Sequence, residues 1–294
     1  MQSIQSKIFY GVLRAVNAKK IINKTVEKVK RRNQPFFSVS ERQKYQILFT
    51  SIDNKEVSTL GKDRQGQRHV IFFHGGMYVV EANTAHKRWL VNLYENSDAK
   101  ITFVDYPLAP EHTYLETIEM VIKTYQFLTR QYSRDEFILM GDSAGGGLAL
   151  ALAQVLRDHQ CENQPGKLIL YSPWVRLDLQ NPKIQEVAQK DILLDLDLLR
   201  KSANCYAGGT DLTHPYLSPY YGSCNGLGTM HVFYGSDEIL ARDIGLLKRK
   251  CEASSVKGSF YRYEGMGHDF QLFTFLPESQ DVLEKTTKII NKQF

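Results

Sequence analysis

Five short apolar runs set the strongest limit on what this chain can fold into: VIFF at 70–73, ITFV at 101–104, FILM at 137–140, LILY at 168–171 and MHVFY at 230–234. Each is rich in β-branched or aromatic residues, apolar at consecutive positions, and bounded by turn residues. Helix-length segments separate them, notably 114–132 and 147–158. Strands that are apolar on both faces and alternate with helices belong in a parallel sheet covered on both sides. A late strand at 259–263 (SFYRY) and a helix at 278–292 extend the pattern. Residues 45–63 read as two strands joined at a turn near Asp53-Asn54. The expected class is α/β with a mostly parallel central sheet flanked by helices.

One connection is far longer than a crossover needs, the one from the strand at 168–171 to the strand at 230–234. It contains ILLDLDLL (192–199) and the turn-rich HPYLSPYYG (214–222). A lid or cap over the sheet is the expectation, with a structural excursion as the alternative. At the other end, residues 4–32 read as helix. Ile4, Ile8, Val12 and Val16 recur at spacings of four, followed by Ile22, Val26 and Val29, and Pro35 marks the latest end.

Charge bears on partners. The formal net charge is +5, but residues 1–32 hold nine Lys/Arg and one acid, Glu27, so the rest of the chain is slightly acidic. The body is therefore not expected to bind nucleic acid. No apolar run approaches the ~20 residues that cross a bilayer. Lys7 and Arg14 interrupt the N-terminal apolar stretch, which argues against a signal peptide. The four scattered cysteines then read as reduced thiols, and the expected location is cytoplasmic.

The chemistry concentrates around FILMGDSAGGGLALALAQVL (137–156). A phosphate-binding loop is excluded, because Gly147 stands where the P-loop requires lysine. The dinucleotide fingerprint fails as well, at Leu150. What fits is G-x-S-x-G over Gly141–Gly145, at the end of an apolar strand and the start of a small-residue helix. Such a turn exposes a serine hydroxyl at a helix N-terminus, where backbone N–H groups favour negative charge. A serine nucleophile also needs a base, and a tetrahedral oxyanion needs preorganised donors. His74-Gly75-Gly76 follows one strand directly, and His268 lies in a glycine-bracketed loop after the last. Two acids, Asp237 and Glu238, end the strand between. Serine, acid, histidine at successive strand ends is the chain order of a hydrolase triad.

HGGM (74–77), DYPLAPEH (105–112), GDSAGG (141–146), YSPW (171–174), the acidic turn near 237–243 and GMGHDF (265–270) together resemble the hormone-sensitive-lipase-like bacterial esterases of the α/β-hydrolase fold. The resemblance covers roughly residues 45–290. It implies a catalytic domain over 41–294 and a helical cap made from residues 1–40 and an insertion at about 175–228. By motif, Ser143 is the nucleophile and His268 the general base. Gly75, Gly76 or Met77, with Ala144, supply the oxyanion amides, Met77 replacing the family's usual third glycine. A gapless match puts Glu238 in the acid's place, with Asp237, one position out of register, as the alternative. The implied activity is hydrolysis of small-molecule carboxylic esters with short acyl chains through an acyl-enzyme, with no cofactor or metal. An amidase or deacylase on the same triad and a non-catalytic receptor on this fold are the alternatives.

The remaining candidates have blander readings. His74 is expected to order the oxyanion loop and His112 to tie down a turn, and His69, His86, His159, His214 and His231 lack metal-ligand spacing. Asp142 reads as the variable residue of the elbow, and Asp105 and Glu111 as structural hydrogen-bonding groups in a buried loop. The basic N-terminal helix packs its apolar stripe over the site with lysines in solvent, or lies on an anionic membrane.

Overall fold

In the computed structural model, which describes residues 2–26, 28, 31–61 and 68–292, all the apolar runs are strands of one eight-stranded sheet. In chain order they are β1 (Leu48–Ile52), β2 (Lys55–Leu60), β3 (Arg68–Phe73), β4 (Lys100–Val104), β5 (Glu136–Asp142), β6 (Lys167–Tyr171), β7 (Thr229–Gly235) and β8 (Gly258–Tyr263). The spatial order is β1-β2-β4-β3-β5-β6-β7-β8, parallel from β4 onward, with β1 and β2 antiparallel at one edge. The β1–β2 hairpin turns at Asp53 and Asn54, both at positive φ, the backbone a tight two-residue turn needs.

Because side chains alternate across a strand, each apolar run divides between two cores. Ile71 and Phe73, Leu139, and Leu168 and Leu170 enter one layer, while Val70 and Phe72, Ile138 and Met140, and Ile169 and Tyr171 enter the other. The first layer is covered by α5 (Tyr114–Gln131), α6 (Ser143–Asp158) and α9 (Ala241–Glu252), the second by α4 (Thr84–Asn96) and α10 (Pro277–Asn291). α5 opens on a capping box in which Thr113 and Glu116 satisfy each other's backbone amides. Neither α4 nor α9 is marked by a motif in the sequence.

The N-terminal segment departs from the single helix expected over 4–32. It forms α1 (Ile4–Ala15) and α2 (Ala18–Val26), broken at Asn17, whose φ of 53° cannot continue a right-handed helix. Val29, the last residue of the expected stripe, lies outside the described residues. The first half of the stripe points outward, with Ile4 77%, Ile8 65%, Val12 53% and Val16 52% exposed, while Ile22 and Val26 are half-buried and face a cavity. α1 instead turns Ser6 and Tyr10 inward. A short helix, α3 (Val39–Lys44), precedes the sheet. Among the described residues no helix is long and apolar enough to cross a membrane.

The long connection holds a short helical turn, α7 (Gln185–Ala188), and α8 (Leu196–Ala207). Asp195 caps α8 through the amides of Asp197 and Leu198, and Gly208 ends it in the left-handed region. α8 is anchored, since Leu199, Ala203 and Tyr206 are wholly buried in the first core layer. The Tyr206 ring stacks on Tyr78 with centroids 3.8 Å apart and planes 2° from parallel. Tyr206→Ala should therefore cost about 3–5 kcal/mol of unfolding free energy, as large-to-small changes at buried aromatics do. Urea denaturation of the two proteins measures it.

Candidate active site

β5 runs into α6 with no loop, and the turn between them lifts Ser143 above the sheet at φ 50°. That left-handed backbone is unfavourable for a residue with a Cβ, so neighbouring packing must hold it. A Cβ on Gly145 would lie 2.0 Å from the Phe73 carbonyl oxygen, so only glycine lets α6 pass this close to β3. The Ser143 carbonyl accepts from Trp174 N–H at 2.8 Å, which fixes the elbow from the β6 side.

His268 follows β8 and Glu238 follows β7. Ser143 Oγ lies 2.9 Å from His268 Nε2, and His268 Nδ1 lies 2.6 Å from Glu238 Oε2. Glu238 is wholly buried, and its other oxygen accepts from Gly235 N–H at 2.9 Å and from the Ser172 hydroxyl at 2.8 Å. With one oxygen so occupied, the carboxylate holds the proton on Nδ1 and leaves Nε2 facing the serine. Asp237 points elsewhere: its Oδ1 accepts from the Ser236 hydroxyl at 2.8 Å. Asp191, from the long connection, braces the acidic turn by accepting from Ile239 N–H at 2.8 Å. Ser172 and Asp191 were not singled out from sequence. The YSPW block was the only signal that touched Ser172.

A second carboxylate stands on the other side of the imidazole. Asp269 Oδ2 is 3.2 Å from His268 Nε2. Burial opposes a charged imidazole, but Asp269 and then Glu238 outweigh it and hold the His268 pKa well above its ordinary value. Burial pushes the Asp269 carboxyl up to about 7 against the pull of His268.

The loop after β3 requires one correction. Gly75, expected among the oxyanion donors, gives its N–H to Asp142 Oδ2 at 3.0 Å and is not free to meet a substrate oxygen. A Cβ at Gly75 would sit 2.3 Å from that same oxygen. Gly76, at φ 123°, turns the loop so that its carbonyl accepts from Val79 and Val80, and Met77 follows at φ 57°. Gly76 and Met77 line the cavity beside Ser143, and Ala144 is the next residue of the elbow.

Asp142, read as merely variable, is a wholly buried carboxylate that also meets His86 Nε2 at 3.1 Å. Burial opposes both charges, yet each partner stabilises the other, so Asp142 is held below its ordinary range and His86 above its own. His74 behaves differently. Burial lowers its pKa to about 3, so it is neutral, stacked on Tyr106 with Nδ1 2.6 Å from the Gly75 oxygen. Asp105 pairs with Arg32 at 2.7 Å, whereas Glu111 is half exposed and pairs with Arg31, not in a buried loop as expected. These two arginines tie the N-terminal segment to the Val79, Ala82 and Ala109 carbonyls.

Above Ser143 lies a cavity of about 560 Å³, the size of a small-molecule site. Leu13, Val16, Ile21 and Ile22 of the N-terminal helices line it, together with Leu193 and Leu194 of the long connection and Leu272 and Phe273. Among the described residues no three His, Cys, Asp or Glu side chains are grouped as metal ligands would be.

Comparison with known proteins accords with this geometry. A family described as alpha/beta hydrolase fold matches residues 70–272. An esterase of Acinetobacter venetianus is 34% identical over 217 residues, covering 73% of this chain and 71% of the relative. An acetyl-hydrolase of Streptomyces hygroscopicus is 30% identical over 223 residues, covering 75% and 74%. An esterase from the bacterial hormone-sensitive lipase family shares the fold at a TM-score of 0.79 and 23% identity, covering 94% and 98%.

The Asp142–His86 pair carries a stability prediction. Asp142→Ala leaves His86 Nε2 and the Gly75 amide buried without their acceptor. It should lower stability by about 3–5 kcal/mol, read from chemical denaturation.

Proposed function

The chain belongs to the alpha/beta hydrolase fold family, in its hormone-sensitive-lipase-like branch, and from that premise we propose that Ser143, His268 and Glu238 hydrolyse carboxylic esters through an acyl-enzyme. The observation that carries this reading is the unbroken chain from Ser143 Oγ through the His268 ring to a buried Glu238, at 2.9 and 2.6 Å.

Ser143 Oγ attacks the ester carbonyl while His268 Nε2 takes its proton. Glu238 keeps the imidazole in the right tautomer and stabilises the imidazolium that forms. The oxyanion is held by the backbone amides of Gly76, Met77 and Ala144, donors fixed in place before the reaction. His268 passes its proton to the leaving alcohol, and water, deprotonated by the same nitrogen, releases the acid and restores the serine. The N-terminal helices and the 175–228 insertion act as the cap, since both contribute apolar side chains to the cavity over Ser143. Short acyl chains fit a cavity of about 560 Å³ walled mainly by aliphatic side chains.

Asp269 adds a condition on pH. A neutral Nε2 cannot accept a hydrogen bond from an ionised carboxylate, so the two groups share one proton. Removing that carboxylate destabilises the imidazolium, lowers the His268 pKa and extends the active range toward acid. Asp269→Asn should therefore move the acidic limb of the kcat/KM profile to lower pH.

Turnover of p-nitrophenyl acetate and butyrate tests the main reading. Ser143→Ala should lose at least about 10⁴-fold in kcat, and Glu238→Gln roughly 10⁴-fold. Asp237→Asn should stay within about threefold of the parent, because it takes no part in holding the imidazole. Undiminished activity in Ser143→Ala would overturn the mechanism.

A further inference from the structure

Among the described residues the outward face of α1 has no partner. Ile4, Ile8 and Val12 lie one above another at helical spacing and are 77%, 65% and 53% exposed. Gly11 and Ala15 share that face and are also exposed, with open space around Gly11. Val16 and Ile21, 52% and 55% exposed, continue it across the break into α2. Five of the eleven large exposed hydrophobics described thus fall within the first 21 residues, so the patch is a cluster and not ordinary scatter.

The opposite face of α1 is already engaged. Ser3 N–H and Ser6 Oγ donate to Glu278, and the Tyr10 hydroxyl accepts from Gly267 N–H at 3.0 Å. The exposed stripe is therefore not a docking face awaiting the rest of the domain.

Charge selects the occupant. Lys7, Arg14, Lys20 and Lys24 are exposed around the patch, and residues 1–26 contain no acid. A second copy meeting this face symmetrically would set those cations against their own counterparts. An anionic lipid surface accepts both features at once, apolar side chains into the acyl boundary and lysines to the headgroups. The patch is also continuous with the site, since Val16 and Ile21 are both exposed and line the cavity over Ser143.

We propose that the α1–α2 face seats the protein on anionic membranes, with the mouth of the Ser143 cavity at the lipid boundary, so that esters partitioned in the bilayer enter directly. The seating stands on the exposed face alone. Only the delivery of esters rests on the hydrolase reading.

Flotation of the full chain with vesicles of phosphatidylcholine and phosphatidylglycerol in equal parts, against phosphatidylcholine alone, tests the proposal. The protein should float with the anionic vesicles at low salt and be released at high salt. Ile8→Asp with Val12→Asp should weaken that partition at least about 10-fold, and Ile8→Leu with Val12→Leu should preserve it. Neither pair lines the cavity, so turnover of soluble p-nitrophenyl acetate should be unchanged in both. Parent protein that stays unbound to anionic vesicles, or an aspartate variant that floats as well as the parent, overturns the proposal. So does a parent dimer that the aspartates split into monomers with no vesicle binding. Vesicle binding without p-nitrophenyl acetate turnover would instead sink the hydrolase reading and leave the seating intact.

Discussion

Everything at this site depends on one backbone crossing, where the start of α6 passes over the end of β3 at Gly145 and the Phe73 carbonyl. No side chain fits in that gap, where an added Cβ would come within 2.0 Å of the oxygen. The crossing forces Ser143 into a left-handed conformation that costs on the order of 1–3 kcal/mol. The cost is borne by a sheet whose strands are apolar on both faces and locked between two helical layers. Loosening the crossing would move the serine, the Ala144 amide and the β3 loop together, because all three hang from it.

The buried Asp142 carboxylate performs the second half of that coupling. It sits in the elbow beside the serine and reaches across to Gly75, so the turn bearing Ser143 and the loop presenting Gly76 and Met77 move as one piece. His86, from α4, meets the same carboxylate through Nε2 at 3.1 Å. The elbow and the loop after β3, from different crossovers, are thereby held in register by a single side chain, which suits the proposed oxyanion donors, since such donors must be in place before charge develops.

Much of this was legible in the sequence, and what was not has identifiable causes. Both-face apolar runs are a strong signal, and every one became a strand. Ser143 and His268 were nameable because local motifs sit on predicted strand ends. Glu238 was favoured over Asp237 by the gapless motif match alone, since adjacent carboxylates differ only in which one the turn after β7 aims inward, and that depends on the Gly235 amide and the Ser172 hydroxyl. Gly75 was misassigned for a related reason: the partner of a backbone amide is decided by tertiary contact, here with a residue 67 positions away. The α1 stripe shows the limit of periodicity. Spacing of four identifies a helical face but not the side on which the protein lies, and here Ser6 and Tyr10 win the inward position through hydrogen bonds to Glu278 and Gly267.

Those same contacts impose an order of assembly on the nascent chain. Tyr10 waits for Gly267, 257 residues downstream, and Ser6 waits for Glu278. At ~5–20 residues per second the ribosome needs roughly 13–50 s to make that interval. Throughout it the first helix has neither its docking groove nor the histidine loop it steadies. His268 and the hydrogen bonds that steady its loop therefore arrive within one late stretch of synthesis, so the Ser143 hydroxyl has no imidazole beside it until that stretch has been made.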